Sequence, residues 1–179
     1  YLYRHFLHPD GATLQHAGYC VPRVEMELAF VLKDALQGPY VTQLDVLKAT
    51  EYVVPSIELI DARVNEPRKI FDTIADNGAG AGLILGGRAV HPHDVDLTMV
   101  PSVLYRNAQI EETGVSCGVM GHPANGVAWL ANKLHEIDVQ LHPGQILLAR
   151  SAVRPVWADP GDTIRADFGD LGTVSIRFE

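Results

Sequence analysis

Glu25 and Glu27 stand two residues apart in a run that is otherwise apolar, Val24-Glu25-Met26-Glu27-Leu28-Ala29-Phe30. In an extended strand the side-chain period of two sends both carboxylates to one face, about 6–7 Å apart along the chain. Carboxylates that close repel each other, and burying them uncompensated costs on the order of several kcal/mol. Something positive must hold them, either a cation or a pair of basic side chains. On a solvated strand face Arg23 would be the neighbour available. Glu58 lies between Ile57 and Leu59 in a second apolar stretch, where a carboxylate is equally out of place. Three carboxylates on two adjacent strands would make an all-oxygen site suited to a hard dication, and an incomplete ligand set leaves positions for water and substrate oxygens.

Asp61 and Arg63 follow closely. Asp61 is a candidate catalytic carboxylate, a support for the ligands or a hinge residue. Arg63 can pair with it or meet a substrate carboxylate, and a purely structural ion pair is the competing reading. Glu58 itself is a candidate both as ligand and as catalytic group. Arg68 and Ser151 are further candidates for substrate binding, although no GxSxG elbow gives Ser151 the signature of a nucleophile. His122, in Gly-His-Pro-Ala-Asn-Gly, opens a strong helical pattern and is expected to cap or pack, with Asn125 satisfying a free backbone N–H in the first turn. The other histidines, His5, His8, His16, His91, His93, His135 and His142, show no HExxH or other ligand spacing. Gly78-Ala79-Gly80-Ala81-Gly82 and Gly86-Gly87 lack the Lys-Ser/Thr of a phosphate-binding loop. Cys20 and Cys117, the only 2 cysteines, make neither a disulfide framework nor a zinc spacing and are expected to be inert packing residues.

The elements that must position these groups are mostly strands. Val21–Leu32 and Tyr52–Asp61 read as the two strands bearing the glutamates, with Pro55 marking an edge or a bulge in the second. Thr42 is placed to cap a short helix running to about Thr50. Pro67–Asn77 carries Ile70, Phe71 and Ile74 at helical spacing. Leu83–Leu85, Leu97–Arg106 and Glu111–Cys117 read as strands. Pro123–Leu134 is the best helix, with Pro in its first turn and Val127, Leu130, Ala131 and Leu134 forming an apolar stripe. Gln145–Ala149, Val153–Trp157, Thr163–Phe168 and Thr173–Phe178 are strands separated by Pro-Gly and Gly turns. Many short strands and few helices predict a mostly β, α+β domain of sandwich, roll or barrel type.

The 179 residues suffice for one domain, and 47% hydrophobic with 20% charged residues is the profile of a soluble globular protein. A formal net charge of -8 with no basic face argues against nucleic acid and anionic membranes as partners. No apolar run approaches the roughly 20 residues that cross a bilayer. A reducing, cytoplasmic location suits the two isolated cysteines.

Across this frame the words PRVEMELAFVL, ATEYVVPSIELIDAR, KIFDTIADN, LYRNAQIEETG, GHPANGVAWLANKL and LHPGQILLA, spanning about Val21 to Phe178, resemble the fumarylacetoacetate hydrolase superfamily. Within it they are most similar to the branch of hydratases that act on 2-oxohept-4-ene-1,7-dioate and related dienoates. The resemblance puts that family's ExE pair on Glu25 and Glu27 and its third metal carboxylate on Glu58. It implies a mixed β-sandwich roll, a Mg²⁺ ion with Mn²⁺ as a possible substitute, and a homo-oligomer. It further implies a hydro-lyase adding water to a 2-hydroxy-2,4-dienoate or its 2-oxo-enoate tautomer in aromatic-compound catabolism. A 4-oxalocrotonate-type decarboxylase, an acylpyruvate C–C hydrolase on the same metal site and a non-catalytic partner subunit are the alternatives. The family also carries an N-terminal segment with a Lys near the substrate, expected to precede Tyr1, and a longer stretch where Val64-Asn65-Glu66-Pro67 stands here. Residues 1–179 are therefore expected to be one catalytic domain lacking that segment and a loop near 64–66. Where the family tends to show Gly-Ser-Phe-Thr after LHPGQILLA, this chain has Arg150-Ser151-Ala152-Val153, which leaves the exact substrate open.

Overall fold

Alternating patterning lays out the core of the structure, a computed structural model that describes residues 6–179. In chain order the elements are β1 (Leu7–His8), β2 (Ala12–Leu14), β3 (Pro22–Leu32), α1 (Gln43–Ala49), β4 (Thr50–Asp61), α2 (Ile70–Ala75) and β5 (Gly80–Leu85). They continue with β6 (Pro101–Arg106), β7 (Gln109–Val115), α3 (Ala124–His135), β8 (Ile146–Leu148), β9 (Val156–Trp157), β10 (Thr163–Asp167) and β11 (Thr173–Phe178). One sheet runs β1-β5-β4-β3-β8, with β9 also on β3, and the other runs β2-β11-β10-β6-β7. Both sheets are mixed, because β1 joins β5 and β2 joins β11 in parallel while the remaining pairs are antiparallel. The mostly β sandwich with short helices is the expected fold.

Val24, Met26, Leu28 and Phe30 fall on one face of β3, and Ile57 and Leu59 on the matching face of β4, all at most 4% exposed. They share one core with Leu104, Ile164, Ala166, Val174, Ile176 and Phe178 of the second sheet. Each such side chain contributes roughly 1.5–3 kcal/mol on burial. That apolar face anchors β3 and β4 and leaves their other face to carry Glu25, Glu27 and Glu58. Between the two strands, α1 starts where the sequence indicates: Thr42 Oγ1 accepts from Asp45 N–H while Thr42 N–H donates to the Asp45 carboxylate.

Several elements differ from expectation for identifiable reasons. β1 and β2 are too short to show alternation and exist only because Leu7 and Ala12 find distant partners at Leu83 and Ile176. Pro55 is neither at a sheet edge nor in a bulge. It sits in the interior strand β4 just past the last β4–β5 pair, Ser56 with Leu85, and its carbonyl accepts from Gly86 N–H. The predicted strand from Leu97 begins only at Pro101, because Ser116 Oγ donates to the Leu97 carbonyl and accepts from Val100 N–H in place of a ladder. α2 is confined to Ile70–Ala75 and leaves Ile70, Phe71 and Ile74 at least 65% exposed. Within the glycine run at 78–82, Gly82 serves packing, since a Cβ there would press on His8 and Leu59 at 3.2 Å, whereas Gly78 takes φ +68° with open space around it.

Two glycines position the segment that follows β8. A Cβ on Gly126 of α3 would stand 2.7 Å from the Ala149 carbonyl oxygen, and one on Gly114 of β7 would stand 2.7 Å from that of Ala152. Helix and strand therefore close on residues 149–152 from two directions. Replacing Gly126 by Val is expected to destabilise the protein by about 1–3 kcal/mol through overpacking. For a domain of this size that lowers Tm by about 2–4 °C per kcal/mol. A thermal melt matching the parent would show that the helix moves away without cost.

Candidate metal centre

The antiparallel register of β3 and β4 sets Glu25 directly opposite Glu58 and Glu27 opposite Ser56. Directly paired residues share a face, so all three glutamates point to the side of the sheet away from the sandwich core. One carboxylate oxygen from each lies within 4.8 Å of the others. Among the described residues, no other three His, Cys, Asp or Glu side chains converge in this way. Glu27 is buried, at 4% exposure, and Glu25 and Glu58 are half-buried.

Burial and mutual repulsion oppose ionisation of all three. Desolvation raises Glu27 well above the usual carboxylate range, reinforced by the charges of Glu58 and Glu25. Glu58 is pushed up to about 7 by burial and by the charge of Glu25. Glu25 is raised by burial, and the charges of Arg23 and Arg150 counter part of the rise. Hydrogen bonds of Glu27 with Glu25 and Glu58 link the carboxyl groups to one another, and from outside the cluster the N–H of Arg150 donates to Glu27 Oε2 at 2.7 Å. Three carboxyl groups crowded together on a rigid sheet, whose oxygens become acceptor-only when ionised, fit a hard dication and are ill suited to a soft metal.

The remaining candidates lie apart from the cluster. Asp61 is three residues beyond Glu58, so the strand's period turns it to the opposite face. There it is buried at 3% exposure and accepts N–H bonds from Cys20 and Val21. It fixes the approach to β3 and does not face the glutamates, a placement the period of two already implied. Arg63 does not pair with Asp61; its Nε meets Asp76 Oδ1 at 2.6 Å and its terminal nitrogens reach the Asp76 and Gly80 carbonyls, pinning the end of α2. Arg68 is paired with Glu66 at 2.8 Å. Ser151 Oγ accepts from Val153 N–H at 3.2 Å, a local turn contact adjoining the segment that touches Glu27. His122 Nδ1 accepts from Ala124 N–H at the start of α3, so it caps the helix as its sequence position indicates, and burial lowers its pKa. Asn125 works in the reverse sense from that expected: its amide donates to the Met120 carbonyl. His5 lies outside the described residues.

A cavity of about 530 Å³ opens beside Glu58, lined by Leu7, Leu83, Leu130, Leu134, Leu141, Ile146 and Leu148 among others. Leu83 is the register partner of Glu58 and Leu7 that of Leu83, so this trough lies on the glutamates' side of the sheet. Its size is that of a small-molecule site, and its leucines give the cluster a flank of low polarity.

Comparison with known proteins adds a second line. The chain is 54% identical to 2-oxo-hept-4-ene-1,7-dioate hydratase of Escherichia coli over 97% of its own length and 67% of that protein's. It is 41% identical to 2-hydroxyhexa-2,4-dienoate hydratase of Comamonas testosteroni over 94% and 65% of the two chains. It thus spans about two thirds of these curated relatives. Among solved structures, 4-oxalocrotonate decarboxylase from Pseudomonas putida G7, complexed with magnesium and adipate, superposes with a TM-score of 0.94 at 34% identity, over 98% of this chain and 67% of that one. At 17% identity, 5-carboxymethyl-2-hydroxymuconate delta-isomerase from Mycobacterium smegmatis still superposes at 0.71 over 97% and 65%, which shows the shared fold. No family model matches the chain.

The raised carboxylates set a pH dependence for the metal-free protein. With Glu58 at about 7 in the folded state and in the ordinary carboxylate range when unfolded, the folded state binds more protons across that interval. Its contribution to stability is therefore complete at low pH and is lost as pH rises through about 7. Melting in EDTA from pH 5 to pH 8 should show Tm falling by roughly 3 °C or more from this source. MgCl₂ should raise Tm more at pH 8 than at pH 5, since protons compete with the cation. Glu58→Gln should flatten the EDTA slope; an unchanged slope would refute the assignment.

Proposed function

The chain belongs to the hydratase and decarboxylase branch of the fumarylacetoacetate hydrolase superfamily, and on that premise we propose that it adds water to a 2-hydroxy-2,4-dienoate or its 2-oxo-enoate tautomer. The substrate proposed is 2-oxohept-4-ene-1,7-dioate, as in the Escherichia coli relative. The observation that carries this reading is the convergence of Glu25, Glu27 and Glu58 oxygens within 4.8 Å beside an apolar trough. These three residues would hold Mg²⁺, with Mn²⁺ as a substitute; the bound cation supplies Lewis acidity toward the carboxylate and the C2 oxygen of a 2-oxo or 2-hydroxy acid.

The chain's own groups then have distinct tasks. Arg150 N–H holds the buried Glu27 carboxylate in place, and the β3–β4 register holds Glu25 against Glu58. Leucines flanking Glu58 keep the surroundings poor in water, which strengthens every charge interaction at the cluster. In the reaction, ketonisation of the dienol delivers a proton to C5 and leaves a double bond conjugated to the C2 carbonyl. C4 is then the electrophilic carbon; it takes the hydroxyl of water while C3 takes the proton, giving a 4-hydroxy-2-oxo acid. Glu58, at the edge of the trough, is proposed as a proton acceptor as well as a ligand; its rise to about 7 belongs to the metal-free protein, because a bound cation would keep it ionised. Asp61 has no part in this step, because its carboxylate is engaged by Cys20 and Val21 on the other face.

A second reading, decarboxylation of a vinylogous 2-oxo acid on the same cluster, is favoured by the 0.94 superposition on a decarboxylase. We further propose that residues 1–179 act as one catalytic domain in a cytoplasmic homo-oligomer. Among the described residues no helix is long and apolar enough to cross a membrane.

Incubation with 2-hydroxyhepta-2,4-dienedioate should show loss of dienol absorbance that EDTA abolishes and Mg²⁺ restores, without CO₂ release. Carbon dioxide evolution from 2-oxohex-3-enedioate, whose second carboxylate sits on C5 next to the enone and can leave as CO₂ with its electrons taken up by the C2 carbonyl, would assign the decarboxylase instead. Dienol decay indifferent to EDTA would exclude the metal site. Glu27→Gln should lower kcat/KM beyond the roughly 10–100-fold typical of losing an outer partner of a metal site. Its melting temperature in EDTA should not fall, since burial already opposes ionisation of Glu27 in the metal-free protein and the Gln oxygen can still accept from Arg150 N–H.

A further inference from the structure

The clamped segment after β8 contains an arginine whose backbone conformation is unfavourable and whose side chain is free. Arg150 has φ +89°, in the region where L-residues crowd their own Cβ and glycine alone is at ease. The surroundings enforce it. Ala149 N–H donates to the Leu28 carbonyl, Arg150 N–H donates to Glu27 Oε2, and the Cα positions of Gly126 and Gly114 abut the carbonyls of Ala149 and Ala152. Glycine would satisfy every one of these contacts without strain, so none of them calls for a side chain at position 150. A strained residue held this firmly beside a metal cluster points to a use for the side chain itself.

The guanidinium is exposed and makes no ion pair or hydrogen bond among the described residues. Arg63, Arg68, Arg106 and Arg154 are paired with Asp76, Glu66, Glu111 and Glu112, and Arg23 and Arg165 lie over the Trp157 and Tyr105 rings at 4.8 and 4.3 Å. Among the described residues Arg88 and Arg177 are unpaired as well, so what sets Arg150 apart is its place beside Glu27. Arg150 also stands close enough to Glu25 for its charge to be felt there. The trough beside Glu58 is lined mainly by leucines, with Asn77 and Gln145 as uncharged polar groups, so it offers an anionic terminus no cationic partner.

We propose that Arg150 is a specificity-determining residue that binds the second carboxylate of a dicarboxylic substrate anchored at Glu25, Glu27 and Glu58. The planar guanidinium offers two parallel N–H donors to a carboxylate, a geometry lysine does not reproduce. Arg63 and Arg68, the arginines suggested by sequence order, are committed to Asp76 and Glu66 and leave this role to Arg150.

The proposal rests on the hydratase reading only for its choice of substrate, and the test separates the two. With Mg²⁺ present, kcat/KM is measured on 2-hydroxyhepta-2,4-dienedioate and on 2-hydroxypenta-2,4-dienoate, which lacks the second carboxylate. Binding of the unreactive pair adipate and hexanoate is measured in parallel by calorimetry. Arg150→Gly should lower the dioate-to-monoacid ratio of kcat/KM by about 10–100-fold, mainly through KM, and should abolish the preference for adipate, the range expected for a charge-assisted bidentate contact. Arg150→Lys should retain part of both preferences. The melting temperature of Arg150→Gly should equal or exceed the parent's, which a merely structural arginine would not allow. Equal losses on both substrates, or an adipate preference that survives in Arg150→Gly, would overturn the proposal. If the parent hydrates neither dienoate, the hydratase reading falls, and the adipate–hexanoate comparison still decides the role of Arg150.

Discussion

Mutual repulsion among Glu25, Glu27 and Glu58 is the constraint around which the rest of the molecule is arranged. Their oxygens come within 4.8 Å of one another in a site where one carboxylate is buried and two are half-buried. No local arrangement of backbone would hold them so against that repulsion. They are held because each strand is fastened through its other face. Val24, Met26 and Leu28 alternate with the glutamates of β3, Ile57 and Leu59 flank Glu58, and all five are at most 4% exposed in the core shared with the second sheet. Hydrophobic burial on one side of a two-residue-thick layer thus supports electrostatic strain on the other. A dication turns the same repulsion into a set of bonds.

The segment from Ala149 to Ala152 is the second device. It carries a backbone N–H to the one carboxylate of the cluster that is fully buried, and it does so while α3 and β7 press on its carbonyls through Gly126 and Gly114. Neither glycine is needed for a turn; both are needed because backbone must approach backbone. The strained φ of Arg150 follows from this confinement, since residues held from three directions cannot relax toward an easier conformation. The cluster, the clamp and the free guanidinium are therefore parts of one construction.

Legibility varied with the range of the interaction that decided each residue's place. Thr42 and Asp45 cap α1 through contacts three residues apart, and the sequence pattern reveals them directly. The end of β3, the whole of β11 and the start of α3 are bounded by local turn and helix signals and fall within a residue of their predicted limits. Nearness in sequence offers Arg63 either Asp61, two positions away, or a substrate carboxylate, whereas its partner is Asp76, thirteen positions on. Proximity in sequence groups Asp61 with Glu58, although an odd separation along a strand places the two on opposite faces. Ile70, Phe71 and Ile74 have helical spacing, yet they remain exposed on α2 because spacing defines a face and not what covers it.

Consecutive residues alone mark out the two strands, the three carboxylates and the face that Glu25 and Glu27 share, because alternation along a strand is a local property. Motif resemblance was enough to indicate the family and the kind of chemistry. It takes the folded arrangement to set Glu25 opposite Glu58, to open an apolar trough beside them, and to bring Arg150 to the cluster from 123 residues beyond Glu27. Register, cavity shape and long-range clamps depend on how separate elements pack, and packing is settled by the whole core at once, not by any stretch of the chain.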